Sequence, residues 1–280
     1  MVATEVDPGA AGDEGALDSE SLAPAVTRAA AILQLLAENN GLPAGPSELA
    51  RRLGLPKSSI ANISSALADT GLLRRVGTGF ALGRALAELG GAYLAAVDEV
   101  QEFYETCLEL PSASEETIQL AILDGTEMTY LARHDGQQPV RLTSQIGRRL
   151  AASHTATGKA SLATLDDDEV RRRFDGHRPP VMTGRSHQTL GALLEDLALV
   201  RERGYAIDDE ETVEGVICYG IAIPMRRPGG GPYAASITLL KVRATREREQ
   251  LLLSDLHRLQ ARLSDPLHAE RRAEAPAQRR

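Results

Sequence analysis

PSELARRLGLPKSSIANISSALADTGLLRRVGT, residues 46–78, is the stretch on which the reading of this fold turns. Ser47 is placed to cap a short helix running to Leu53, because a serine hydroxyl satisfies a free N–H of a first helical turn. Gly54 breaks that helix. Pro56 suits the start of a second one, where its missing N–H would have had no partner. Ile60, Ile63, Leu67 and Leu72 then recur at helical spacing and give the second helix one buried face. Its other face offers Lys57, Ser58, Ser59 and Asn62, short donors and one cation near a helix N-terminus, as contact with phosphates and base edges requires. Arg74, Arg75 and a Gly77-Thr78-Gly79 turn follow as a hairpin wing.

Two ordinary core helices joined by a tight turn would explain the periodicity alone. The serine cap, the Gly-x-Pro turn, the small polar face and the arginine-flanked glycine hairpin together favour a winged helix-turn-helix that binds double-stranded DNA. Its candidate contacts are Ser47 and Arg51 on the first helix, and Lys57, Ser58, Ser59 and Asn62 on the second. Arg74, Arg75 and Thr78 join them from the wing.

The formal net charge of −8 looks wrong for a DNA-binding chain until it is read by segment. Residues 1–20 hold six acids and no base, whereas residues 21–90 hold seven bases against four acids. The local field, not the total, steers a protein to phosphate. At 280 residues the chain has room for two domains. Two cysteines, Cys107 and Cys218, do not make a disulfide-built secreted domain. The N-terminus has no basic and apolar leader, and no apolar run reaches the roughly 20 residues of a membrane span. The expectation is a cytoplasmic protein that does not enter membranes.

Five segments are expected: an acidic disordered tail (1–20), the DNA-binding domain (21–83), a linker helix (84–107), an effector-binding domain (108–265) and a disordered basic tail (266–280). Residues 24–39 form the first helix, with Val26, Ala29, Ile32, Leu33 and Leu36 on one face. The linker is amphipathic, with Gly90-Gly91 as its weak point. Beyond 113, residues 117–123 and 127–133 read as strands joined by an Asp-Gly hairpin turn, and Val140 to Ser144 as a further strand. Helices are expected from Ala156 to about Leu165, over 167–174, over 190–203 and over 246–263. Apolar strands are expected at 216–225 and 234–242, around a flexible 226–232 loop. Mixed helices, strands and hairpins make this second domain α+β around an antiparallel sheet.

From about Leu22 to Ser264 the chain resembles the IclR family of transcriptional regulators. Four blocks carry the resemblance: LARRLGLPKSSIANI (49–63), GFALGRALAELG (79–90), SHTATGKASLA (153–163) and RERGYAIDDEETVEGVICYGIAIP (201–224). Asn62 stands where the family often has arginine, and Ala151 where it usually has proline. The resemblance implies a winged helix that binds a pseudo-palindromic operator as a dimer. It also implies a GAF-like C-terminal domain that binds a small effector and helps dimers pair into tetramers. The effector site it implies comprises the backbone of Ala156 and Thr157, with Asp208, Cys218, Ser236 and Thr238. Ser236 and Thr238 stand two apart on a strand and so share a face. Hydroxyls and N–H groups at a helix start suit an anion, so a carboxylate effector is expected, with the protein acting as a repressor or, alternatively, an activator.

Each site residue also has a plainer reading. Free cysteine is usually core, Asp208 also reads as a turn or cap residue, and Lys159 as a surface or structural group. His154 lacks a Cys/His cluster at zinc-like spacing, so neither metal nor cofactor is expected. A cysteine-dependent enzyme built on Cys218, His154 and Asp208 is the rival reading. Against it, Cys218 lies in an apolar strand and not at a basic helix start, and the chain carries no phosphate-loop, dinucleotide-glycine or HExxH motif. An architectural DNA binder without an effector is a third class, and a C-terminal domain of this size argues against it.

Overall fold

A computed structural model describes residues 21–39, 41–138, 140, 145–224 and 231–264. Both expected tails, most of the expected 140–144 strand and most of the 226–232 loop lie outside them. The chain divides into two compact units, 1–93 and 94–280.

In the first unit, α1 (Pro24–Glu38), α2 (Pro46–Leu53) and α3 (Lys57–Asp69) precede a hairpin of β1 (Leu73–Val76) and β2 (Gly79–Leu82). Ile32, Leu36, Leu49, Ile60, Leu73 and Phe80 make the centre of its core. Leu35 contributes in place of the expected Val26, which is 67% exposed because it faces away at the first turn of α1. Ser47 does not cap α2. The cap position is Gly45, Pro46 is the first helical residue, and Ser47 is exposed one step inside. Proline at that first position, with its missing N–H, sets the start instead of serine. Likewise Pro56 is the cap of α3 and its carbonyl accepts from the Ile60 N–H at 3.1 Å. A bridge between Ala44 and Phe80 anchors the wing to the chain entering α2.

The expected single linker helix over 84–107 is two helices, α4 (Ala85–Ala95) and α5 (Asp98–Cys107). The helix runs straight through Gly90-Gly91 and breaks instead at Ala96-Val97, where Val97 turns extended and caps α5. The acids Asp98 and Glu99 then lie in a first turn, where the helix dipole favours them. No residue of α4 is buried, whereas α5 buries Val100, Phe103 and Cys107.

The second unit is built on a six-stranded sheet. Its strands are β3 (Thr117–Asp124), β4 (Glu127–Asp135), β5 (Arg149–Ala151), β6 (Ala206–Asp209), β7 (Val216–Ile223) and β8 (Tyr233–Leu240). The order is β5-β4-β3-β8-β7-β6, and every neighbouring pair is antiparallel. Helices α6 (Ala156–Leu162), α7 (Asp167–Arg173), α8 (Leu190–Arg203) and α9 (Arg246–Ser264) complete it.

Side-chain alternation along each strand splits the sheet into two faces. On one face Ile118, Leu120, Ile217, Tyr219, Ile237 and Leu239 pack against α5 and against Leu252, Leu256 and Leu259 of α9. On the other, Ala121, Met128, Tyr130 and Ala234 pack against α6, Val170 of α7 and Leu193 and Leu197 of α8. The buried Asp255 carboxylate of α9 accepts from the Ser112 N–H at 2.9 Å, tying the approach to β3 onto that helix. Glu116, fully buried, is held by Arg243 and Arg248.

Candidate functional site

In the first unit, the outward stripe of α3 consists of Ser58, Asn62, Ala66 and Asp69, all of them exposed. Ser58, Asn62 and Ala66 are four residues apart and therefore line one side of the helix. Lys57 is the first residue of the helix and is exposed. Cation, short polar side chains and the positive end of the helix dipole thus meet at one point. Ser47, Arg51, Arg74 and Thr78 also lie at the surface. Two expected contacts are already engaged within the unit. Ser59 is half-buried and accepts from Arg28 at 2.9 Å. Arg75 donates to Ser65 of α3 at 3.1 Å and lies over the Phe80 ring, 5.2 Å from its centroid. Both bind the elements of the motif to one another.

In the second unit, the face of the sheet under α6 changes character in the middle. Strand register aligns Asp208, Cys218 and Thr238 across β6, β7 and β8, and aligns Gly220, Ser236 and Gln119 across β7, β8 and β3. These rows present small or polar side chains, and the next row on the same face is Ala121, Ala234 and Ala222. They cannot fill the space beneath α6, and a pocket remains. Asp208, Cys218, Ser236, Thr238 and Gln119 form its floor, with Tyr130, Leu150, Thr155, Ala156, Thr212 and Val216 around it.

Two glycines bring α6 down to the sheet. A Cβ at Gly220 would lie 2.5 Å from the carbonyl carbon and oxygen of Ala156, and one at Gly158 would lie 2.3 Å from Ala152 Cα. Only residues without a side chain permit these approaches. Thr155 caps α6 by accepting from the Gly158 N–H at 3.1 Å. The N–H groups of Ala156 and Thr157 have no intrahelical acceptor, as in any first turn.

All six expected effector residues are buried, and five of them line the pocket. Thr157 instead stands behind it, its hydroxyl 3.4 Å from that of Tyr130. Burial pushes the Tyr130 hydroxyl well above the ordinary phenol range. Burial also raises the Cys218 thiol well above its ordinary value, and Thr238 donates to its sulfur at 3.2 Å. A thiol held protonated is a poor nucleophile. His154 is turned away, its Nε2 against the carbonyl of Pro180. The Asp208 Oδ1 is taken by the N–H groups of Glu211 and Thr212, at 2.9 and 3.1 Å. Cys218, His154 and Asp208 therefore do not assemble a nucleophile, base and orienter. Burial raises the Asp208 carboxyl, opposed by Thr212, Lys159 and the Glu211 amide.

Behind the pocket Lys159 is fully buried, its ammonium 2.7 Å from Asp196 Oδ2 and in contact with Glu211 Oε1. Of its two plainer readings, surface or structural group, it is the structural one. His187 Nε2 lies 3.1 Å from Asp196 and 3.3 Å from Glu211, and Arg203 lies 3.6 Å from Asp196. His187, Asp196 and Glu211 place metal-ligand atoms within 4.8 Å of one another. The Lys159 ammonium already bonds both carboxylates, so these acids are arranged around an organic cation. The network holds the 208–212 turn, and with it Asp208 and Thr212, against α6. Ser186 and Thr183 support the same turn by donating to the carbonyls of Glu211 and Glu210 at 2.7 and 2.6 Å.

Sequence reading missed Gln119, Tyr130, Thr155 and the Lys159 network. Gln119 had a visible signal, a lone polar residue in the apolar run of β3. The network had none, because its members lie far apart along the chain.

A DNA-reading unit joined to a ligand-binding unit defines a one-component transcriptional regulator. Comparison with known proteins agrees and is more specific. Residues 25–77 match the IclR helix-turn-helix domain, and residues 91–265 match the bacterial transcriptional regulator IclR C-terminal domain. The chain is 34% identical over 236 residues to the HTH-type transcriptional regulator KdgR of Escherichia coli K12, covering 83% of this chain and 88% of that protein. Among solved structures, the repressor BlcR of Agobacterium tumefaciens is 32% identical with a TM-score of 0.56, over 88% of this chain and 98% of that one. An IclR homologue from Microbacterium hydrocarbonoxydans, complexed with 4-hydroxybenzoate, shares the fold at a TM-score of 0.66 and 20% identity, over 84% of this chain and 98% of that one. The chain belongs to the IclR family and is a DNA-binding transcriptional regulator, not an enzyme.

Two outcomes test the geometry of the pocket. Gly220→Ala forces a methyl into the Ala156 backbone, so α6 must lift; thermal unfolding should show a destabilised second unit, and wild-type stability would contradict the close approach. The second concerns Asp196. Burial pushes its carboxyl up, but His187, Lys159 and Arg203 outweigh this and hold it well below the usual carboxylate range. A depressed folded pKa contributes stability above the unfolded value of about 3.9 and loses it as pH falls through the folded value. Asp196→Asn should therefore be less stable than wild type at neutral pH, with the gap closing on acidification in denaturant titrations. A gap independent of pH would refute the ion-pair account.

Proposed function

We propose that this protein is a repressor whose operator affinity is set by a small carboxylate bound in the pocket beneath α6. The observation that carries this reading is the polar row of the sheet facing the first turn of α6. There Ala156 at the helix start and the hydroxyls of Ser236 and Thr238 border a space with no cationic side chain among its described walls. A small anion can be held by such dipoles. A large phosphorylated ligand would need guanidinium or ammonium partners. The 4-hydroxybenzoate complex of the Microbacterium homologue and the repressor role of BlcR lend support by kinship.

The DNA contacts are assigned to Lys57, Ser58 and Asn62 on α3, with Ser47 and Arg51 beside them and Arg74, Arg75 and Thr78 from the wing. Ser59 contributes by fixing α3 to α1. One recognition helix covers a few base pairs, so a specific operator calls for two copies reading half-sites about 10 base pairs apart or a multiple of that. Leu86, Leu89 and Tyr93 recur along α4 at one-face spacing. Leu89 is 62% and Tyr93 53% exposed. We assign this stripe to pairing of two chains, and further pairing into tetramers to the second unit. The protein acts where its operator is, in the cytoplasm; among the described residues no helix is long and apolar enough to cross a membrane.

Fluorescence anisotropy on DNA selected from random sequence tests the DNA-binding assignment. Lys57→Ala and Arg74→Ala should each weaken binding to all sequences and reduce the salt slope by about one unit for each phosphate no longer neutralised. Asn62→Ala should change base preference instead, since asparagine pairs bidentately with adenine. A fragment 84–280 that bound as tightly as the full chain would overturn the assignment. Light scattering tests the pairing: Leu89→Glu with Tyr93→Glu should yield monomers with weakened operator binding, and an unchanged dimer would place the interface elsewhere.

A further inference from the structure

Residues 1–20 carry six acids, Glu5, Asp7, Asp13, Glu14, Asp18 and Glu20, and no base. They lie outside the described residues, but the point where they join the first unit is fixed. The Ser21 hydroxyl is 2.6 Å from that of Thr27 and accepts from the Ala23 N–H at 3.2 Å, which holds the entering chain against the first turn of α1. The next residue after Thr27, Arg28, reaches across to α3 and donates to Ser59 at 2.9 Å. Ser59 lies in the first turn of α3, two residues after Lys57. The acidic segment therefore joins the unit beside the N-terminal end of the recognition helix.

That end lacks negative charge of its own. Lys57 is exposed, as are Arg51 on α2 and Arg74 on the wing, and none of the three has an acidic partner among the described residues. Arg52, by contrast, pairs with Glu38. A tethered segment meets such a face at high effective concentration. α3 has 13 residues and is thus about 20 Å long. An extended residue spans up to roughly 3.3 Å, so Asp13, eight residues before Ser21, has chain enough for the whole length of the helix.

We propose that residues 1–20 fold back onto this face as an internal stand-in for DNA, their carboxylates taking the places of phosphates against Lys57, Arg51 and Arg74. This rests on the assignment of that face to DNA. Any DNA that uses the face must first displace the segment, so operator and unrelated sequence are weakened by the same factor. The segment also replaces some of the counterions that DNA would release, which flattens the salt dependence.

Lysine stands only at 57, 159 and 241. Lys159 is fully buried, and Lys241 is held by Asp209 and Glu210 at 2.6 and 2.7 Å. Carbodiimide, which joins an ammonium to a carboxylate in contact with it, therefore has a single lysine to use on the first unit. On the full chain without DNA it should link Lys57 to an acid of residues 5–20 at the mass of one chain, as read by peptide mass spectrometry, and saturating operator should suppress the link. No such link, or one found only at the mass of two chains, would overturn the proposal. Deleting residues 1–20 should tighten binding to operator and unrelated DNA alike, by roughly threefold or more at low salt, and steepen the salt slope. Replacing the six acids by asparagine and glutamine should do the same at full length, and an unchanged affinity there would overturn the proposal. A link that survived saturating operator, in a chain whose DNA binding Lys57→Ala leaves intact, would put the fault in the assignment of the face, and this inference would fall with it.

Discussion

The seating of α6 on the sheet is the constraint on which the second unit depends. The backbone of Ala156 sits where a side chain on Gly220 would be, and Gly158 sits equally close to Ala152. A helix at that distance brings the unpaired N–H groups of its first turn over the strands. It also dictates what the strands beneath can carry. Large apolar residues at 218, 220, 236 and 238 would push the helix away; cysteine, glycine, serine and threonine let it settle and leave space. The pocket is therefore a consequence of close packing beside a row of small polar residues.

Such a row is costly, because buried polar groups need partners. Several are supplied locally: Thr238 donates to Cys218, the Tyr130 and Thr157 hydroxyls face each other, and Asp208 accepts from two amides. The Lys159 network holds the turn that carries Asp208 and Thr212 from behind. A buried ion pair adds little net stability, but removing one partner strands the others, at about 3–5 kcal/mol. This asymmetry makes the network a device for position: it fixes the 208–212 turn against α6 whether or not a ligand is present.

Much of this was legible in the residues. The two-helix motif, the wing, the Asp-Gly hairpin and the helix at 190–203 carry local signals, and the structure has elements at these places. Local chemistry misled where two signals competed. Pro46 outranked Ser47 as the start of α2, and Gly90-Gly91 did not break a helix whose real stop was the extended Val97. β5 and β6 are short edge strands, three and four residues long, and carry no periodicity to read. Cys218, Ser236 and Thr238 were recognisable as a set through family resemblance, whereas Gln119 and Tyr130 joined them only through strand register. Lys159 with Asp196, His187 and Glu211 depends wholly on tertiary contact, so no window of sequence displays it.

The two units are separate compact bodies, and regulation requires a ligand with different affinities for the DNA-competent and incompetent states of the chain. Coupling of that kind is usually worth about 1–3 kcal/mol. The most direct measurement is the dissociation constant of the full chain for its selected operator, by anisotropy, without acid and at saturating acid. The account predicts a change of roughly 5- to 150-fold. An operator affinity that stayed the same while calorimetry showed the pocket filled would contradict it.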